Sequence, residues 1–131
     1  MWGSIRPDKY TLYRADARLG VVALRTLIRE LQAAVGRRWV LSAPEDLIVY
    51  EYDATIERGL PGAVVLPDSA QQVASVVRIA RRHGVAVTAR GAGTGLSGGA
   101  IPEAGGLLIG TARLNRILEV DPENRIAVVE P

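Results

Sequence analysis

A chain of 131 residues, 48% apolar and 23% charged, has room for one modest core and is too apolar to stay disordered. Its formal net charge of +2, with basic residues scattered as pairs (Arg37-Arg38, Arg81-Arg82) and not interleaved with aromatics, argues against a nucleic-acid partner. The absence of cysteine excludes disulfides, thiolate catalysis and Cys-based metal sites, and with His83 as the single histidine no metal site is expected.

The opening stretch, MWGSIRPDKYTLYRADAR, lacks the apolar run of a secretory signal, and nothing approaches the roughly 20 apolar residues that span a bilayer, so a cytoplasmic chain is expected. From Ala17 to Val35 the spacing of Val21, Leu24, Leu27, Ile28, Leu31, Ala34 and Val35 predicts an amphipathic helix, capped by Asp16 and stopped by Gly36. Ser42 and Glu45 stand in capping-box spacing around Pro44 and predict a short helix ending near Tyr50. The carboxylates Glu45, Asp46, Glu51 and Asp53 read as caps and solvated surface.

The middle of the chain has a stricter rhythm. Gly62 to Pro67 (GAVVLP) predicts a short apolar strand. A helix follows, with Ser69 and Gln72 as its capping box, Val73, Val76, Val77 and Ala80 on its buried face, and Gly84 at its left-handed end. His83 reads as a cation favoured by the helix C-terminus. Val85 to Arg90 alternates as a second strand, so strand, helix and strand predict a right-handed βαβ unit with two parallel strands. Gly106 to Thr111 is a third strand. ILEVD and IAVVE, flanking Pro122, Glu123, Asn124 and Arg125, predict an antiparallel hairpin. Its apolar face lacks a covering layer before Pro131, so the front portion of a larger domain is expected.

Between the second and third strands lies RGAGTGLSGGAIPEAGG. Gly93, Gly95 and Gly98 satisfy G-x-G-x-x-G, yet Gly99, Pro102, Gly105 and Gly106 forbid the helix that a dinucleotide fold needs, and no Gly-Lys-Ser/Thr is present for a P-loop. Two readings remain on the residues alone. One is a mobile turn-rich connection. The other is an anion nest, in which glycines let several backbone amides converge, Thr94 and Ser97 add hydroxyl donors, and Arg90 supplies a positive charge at the mouth.

The stretch PGAVVLPDSAQQVASVVRIARRHGVAVTARGAGTGLSGGAIP resembles the N-terminal FAD-binding segment of flavoprotein oxidases of the vanillyl-alcohol oxidase type. Within these it is most similar to the FAD subunit of glycolate oxidase and its D-lactate dehydrogenase relatives. RGAGTGLSGGA is the specific part, and the likeness extends over LSAPEDLIVYEYDA upstream and RLNRILEVDPENRIAVVEP downstream.

That resemblance implies an α+β, PCMH-type FAD-binding fold: a small βαβ subdomain with parallel strands, then the start of an antiparallel sheet, in an incomplete domain. It divides the chain into an N-terminal arm (1–15), a helical segment (16–58) and a partial FAD-binding domain (59–131). It implies non-covalent FAD, since no histidine stands in the loop. Carried over, Arg90, Gly91, Ala92, Gly93, Thr94 and Gly95 form the pyrophosphate cradle, Leu96 and Ser97 lie along the ribityl side, and Gly98 and Gly99 allow close passage. Leu66 and Pro67 approach the adenosine portion; equally, Pro67 terminates a strand before a capped helix. The implied activity is oxidation of a 2-hydroxy acid by hydride transfer to the flavin. No catalytic residue is expected in this chain, because the family's substrate side comes from later segments. Complementary or partner subunits are implied, and the alternatives are an inactive interaction module or a reductase of cell-wall sugar precursors on the same fold.

Overall fold

The computed structural model describes residues 21–131. The expected N-terminal arm, the Asp16 cap and the start of the opening helix at Ala17 lie outside the described residues. Helix α1 (Val21–Val35) buries Leu27, Leu31 and Val35, with Leu24, Ile28 and Ala34 at the margin of the same cluster, as three- and four-residue spacing requires. Gly36, at φ 91°, turns the chain, and its amide donates to Gln32 O at 2.9 Å. A 3-10 turn (Arg37–Trp39) leads into strand β1 (Val40–Leu41), an element the sequence pattern did not predict.

Helix α2 (Pro44–Leu47) continues as a 3-10 turn (Ile48–Tyr50), ending where expected. Its cap differs from expectation. Ala43 holds the N-cap position and no side chain caps the helix. Pro44 suits the first helical position because its φ is preset there, which places Ser42 one residue too early to cap.

Strand β2 (Ala63–Val65), helix α3 (Ala70–His83) and strand β3 (Val87–Arg90) form the expected strand–helix–strand unit. Ser69 Oγ accepts from the Gln72 amide at 3.3 Å, and Gln72 Oε1 accepts from the Asp68 amide at 3.0 Å, so the box closes one residue further upstream than its standard form. Gly84 is left-handed at φ 65°, and its amide donates to the Ala80 and Arg81 carbonyls. On the inner face Val76 and Ala80 are buried as expected. Ile79 joins them, while Val77 turns 44% exposed. His83 lies in the last turn, 3.4 Å from Glu30 Oε2 on α1, which also accepts from Arg82 at 2.8 Å.

The two strands of this unit are parallel but not neighbours. Strand β4 (Leu107–Gly110) inserts between them, giving the order β1-β2-β4-β3, with Val65 and Ala89 both registered on Ile109 and β1 antiparallel to β2. All four β4 residues are buried, so the most apolar strand takes the position covered on both faces, and β3, with Val87 41% exposed, forms the edge. Side chains alternate accordingly. Val40, Ala63, Val65, Leu107 and Ile109 face α1 and α3; Leu47 and Leu60 pack with Val64 and Leu108 on the other side, joined by Leu41, Tyr50 and Leu66.

Strands β5 (Ile117–Asp121) and β6 (Ile126–Val129) form a separate antiparallel pair with an irregularity between Ile117 and Glu119. The turn is the expected one. Asp121 accepts from the Asn124 amide at 3.0 Å and from Asn124 Nδ2 at 2.7 Å, while Arg125 is left-handed at φ 57°. Ile117, Leu118, Val120, Ile126, Val128 and Val129 are exposed, so apolar residues stand on both faces of the hairpin. No helix among the described residues is long and apolar enough to cross a membrane.

Candidate functional site

The parallel register brings three strand ends together: Leu66 and Pro67 after β2, Gly91 after β3 and Thr111 after β4. The carboxyl ends of parallel strands are where open α/β sheets receive ligands. The Thr111 amide donates to the Arg90 carbonyl at 2.9 Å, closing the sheet at this edge. A cleft of ≈ 280 Å³ opens here, lined by Gly91, Ala92, Thr111, Ala112, Leu114, Asn115 and Pro131.

From Arg90 the glycine-rich segment arches out and returns to Leu107. It contains bends and turns but no helix, as Gly99 and Pro102 require. The return leg is fixed by backbone contact. The Gly105 amide donates to Leu60 O at 3.0 Å, the Gly62 amide donates to Gly106 O at 2.8 Å, and the Leu107 amide donates to Ala86 O at 2.8 Å. Gly59 and Gly62 permit this approach, since a Cβ on either would overlap the carbonyl of Pro102 or of Gly105.

The outgoing leg is different. Among the described residues, no amide from Gly91 to Ala100 donates to a carbonyl or a side chain; the next bond is Ile101 N to Gly98 O at 3.1 Å. Gly93 and Gly98 are left-handed, each at φ 73°. Open space lies where a Cβ would stand on Gly95, Gly98 or Gly99. Thr94, Ser97 and Leu96 are exposed, Leu96 at 79%.

At the base of the loop, Arg90 Nη1 donates to the Tyr52 carbonyl, and its guanidinium fills the place a Gly93 Cβ would take, 5.8 Å from the Tyr50 ring. The neighbouring Asp53 is only 7% exposed and Glu51 only 5%, which corrects the expectation that both are solvated surface. Glu51 accepts from Arg58 at 2.8 Å. Asp53 Oδ1 accepts from the Thr55 hydroxyl at 2.6 Å and the Thr55 amide at 2.8 Å. These two bonds hold its carboxyl below the usual range against the effect of burial, with a further contribution from the Arg90 charge. Asp53 Oδ2 is buried without a partner among the described residues. Glu45 and Asp46, in contrast, are exposed in the first turn of α2, as expected.

Of the residues predicted to form a site, Leu66, Pro67, Arg90, Gly91 and Ala92 gather at the strand ends, and Gly93, Thr94, Gly95, Leu96, Ser97, Gly98 and Gly99 form the arch above β3. The Pro67 side chain is fully buried, and Leu66 packs in the core with its carbonyl accepting from Arg113 at 2.8 Å. Thr111, Ala112 and Asn115 complete the cleft and were not foreseen, because they follow β4, and only the insertion of β4 beside β3 brings them next to the start of the loop.

Residues 61–131 match the FAD binding domain family, and the chain belongs to it. The chain is 39% identical over 119 residues to glycolate oxidase subunit GlcD of Escherichia coli (strain K12), covering 90% of this chain and 24% of that protein. It is 37% identical over 84 residues to D-lactate dehydrogenase of Archaeoglobus fulgidus, covering 60% and 19%. The chain thus spans about a quarter or less of the length of these curated relatives. Its fold superposes on p-cresol methylhydroxylase with a TM-score of 0.78 at 24% identity, over 87% of this chain and 23% of that one. The α+β, PCMH-type fold and the likeness to glycolate oxidase and D-lactate dehydrogenase expected from the sequence are therefore those found, and the cofactor of the domain is FAD.

The loop fits such a cofactor on its own chemistry. A diphosphate needs free donors on a segment that carries no carboxylate of its own. The segment offers unengaged amides from Gly91 to Ala100 and two exposed hydroxyls, with no acidic side chain before Glu103.

Proposed function

We propose that this chain supplies the pyrophosphate-binding part of the FAD site in a flavin-dependent 2-hydroxy-acid dehydrogenase of the glycolate oxidase and D-lactate dehydrogenase kind, in the cytoplasm. The observation carrying this reading is the row of unengaged amides between Gly91 and Gly99 at the carboxyl end of a parallel sheet. Those amides hold the diphosphate, Thr94 and Ser97 add hydroxyl bonds, and Gly95, Gly98 and Gly99 leave room for close approach. Leu66 and Pro67 support the adenosine end of the site from beneath, since the Pro67 side chain is buried and Leu66 packs in the core, and Leu96 and Ser97 run along the ribityl side. When bound, the isoalloxazine supplies the hydride acceptor for oxidation of the hydroxy acid. The chain's own contribution is to bind and orient, non-covalently; the cation for the substrate carboxylate and the base for its hydroxyl come from elsewhere in the assembly.

Titrating FAD into the purified chain by flavin fluorescence tests this, with Gly95→Val as the control. A side chain at Gly95 meets nothing in the protein, so the variant keeps its melting temperature and loses affinity by at least about tenfold, roughly 1.4 kcal/mol. Unchanged FAD affinity in Gly95→Val would remove the loop from the site.

A second reading, an interaction module without flavin, draws on the exposed apolar residues on both faces of the β5–β6 hairpin. It predicts association through the hairpin in a chain that binds no FAD.

A further inference from the structure

We infer that Arg90 is a positioning residue that braces the outgoing leg of the loop, and that it is not the ligand of the bound anion. This rests on the FAD reading above and refines the part of Arg90 in it. The return leg has its own anchors at Leu60, Gly62 and Ala86, but the outgoing leg has none among the described residues apart from this side chain. The guanidinium reaches away from the strand end to the Tyr52 carbonyl. Its plate fills the volume left by the missing Cβ of Gly93, against the loop backbone. Gly93 therefore serves two needs: it adopts φ 73°, and it lets the plate lie flush.

The guanidinium is also already engaged, by the Tyr52 carbonyl on one side and the Gly93 backbone on the other. The Tyr50 ring lies 5.8 Å from the guanidinium, and the buried Asp53, one residue beyond the Tyr52 carbonyl, has its carboxyl lowered first by Thr55 and to a smaller extent by the Arg90 charge. The segment 50–53 is in turn fixed to the return leg, since the Gly59 amide donates to Glu51 O at 2.8 Å and Gly59 packs on Pro102. Arg90 thus couples the two legs of the loop through a third segment. Lysine cannot replace it, because an ammonium can reach the Tyr52 carbonyl but offers no planar surface to Gly93.

The test uses the full chain with Arg90→Lys and Arg90→Gln, first without FAD. Thermolysin cleavage before Leu96, located by mass, becomes about tenfold faster in both variants than in the parent, because the leg opens more often. FAD titrations across a salt series then show both variants weakened by a similar factor, with an unchanged slope of log affinity against log salt. Wild-type protection and affinity in Arg90→Lys, beside weak and salt-insensitive binding in Arg90→Gln, would make Arg90 a direct cation and overturn the inference. Cleavage spread through α1 and α3 would mark a general folding role and overturn it too. If the parent chain binds no FAD, the proposed function fails separately, and the cleavage arm alone decides: equal rates in the three proteins would refute the brace.

Discussion

Arg113 Nη1 donates to the carbonyl of Leu66 at 2.8 Å, fastening the segment after β4 to the end of β2. The same guanidinium donates to Asp68 Oδ2 at 2.9 Å and lies 3.7 Å from the Trp39 ring, whose other neighbour is Arg38 at 4.3 Å. The Leu66 amide in turn donates to Trp39 O at 2.9 Å. One side chain thus joins the turn before β1, the end of β2 and the segment leading to β5. Arg113→Met keeps much of the stacking stem and loses the charged donors, so urea denaturation is expected to show about 2 kcal/mol less stability. An unchanged midpoint would show that water replaces the guanidinium at no cost.

The glycines of the loop region divide into two groups with opposite expectations. Gly59→Ala and Gly62→Ala push a methyl group into a carbonyl and are expected to destabilise by about 1–3 kcal/mol. Gly95→Ala faces open space and stays within about 0.5 kcal/mol of the parent. Thermal melts of the three variants separate glycines that pack from glycines that await a ligand.

The mouth of the hairpin is clasped by Arg116, whose Nη2 donates to Glu130 Oε1 at 2.6 Å and whose amide donates to Oε2 at 3.0 Å. The Arg116 side-chain bond first, then its amide, lowers the Glu130 carboxyl from 4.5 to about 2. A carboxyl more acidic when folded than when unfolded stabilises fully above its unfolded value and loses that contribution as protons are added. Exchange protection of the β5–β6 amides is therefore expected to fall between pH 4.5 and about 2, and Glu130→Gln to be weaker at neutral pH and flatter through that window. The carboxyls of Glu30, Asp53 and Asp121 are lowered as well, so the melting temperature of the whole chain declines in the same direction.

Helix α3 provides the simplest check on local stability. Ser69→Ala removes the acceptor for the Gln72 amide and is expected to cost about 1 kcal/mol. Gly84→Ala places a Cβ at φ 65°, at a cost of about 1–2 kcal/mol. A melt in which either variant equals the parent would contradict the cap geometry.

What could be read from the residues was what depends on short-range periodicity and turn chemistry. The α1 stripe, the Ser69 and Gly84 boundaries of α3 and the Asp121–Asn124 turn are all local, and all are present. Strand β1 was hidden because its two residues form a strand only by pairing with Val64 and Val65. The place of β4 was hidden for a similar reason: alternation indicates a strand but not its neighbours, and burial of both faces decided the order. Glu51 and Asp53 looked solvated because their polar partners, Arg58 and Thr55, carry no pattern of their own. In the loop the glycine spacing showed where a cradle could lie, whereas Arg113 and the Tyr52 carbonyl, which define its surroundings, are reachable only through tertiary contact.

The insertion of β4 between β2 and β3 also limits how the molecule can vary. Residues 91–106 must travel from the far end of one strand to the near end of its neighbour and arrive in step. Adding or deleting one residue in the return leg would rotate Leu107 and Ile109 away from α1 and α3, and Leu108 toward them. The same change near Leu96, at the outermost point, leaves that phase untouched. Tolerance for insertions that keep the sheet aligned is thereby concentrated at the exposed part of the arch.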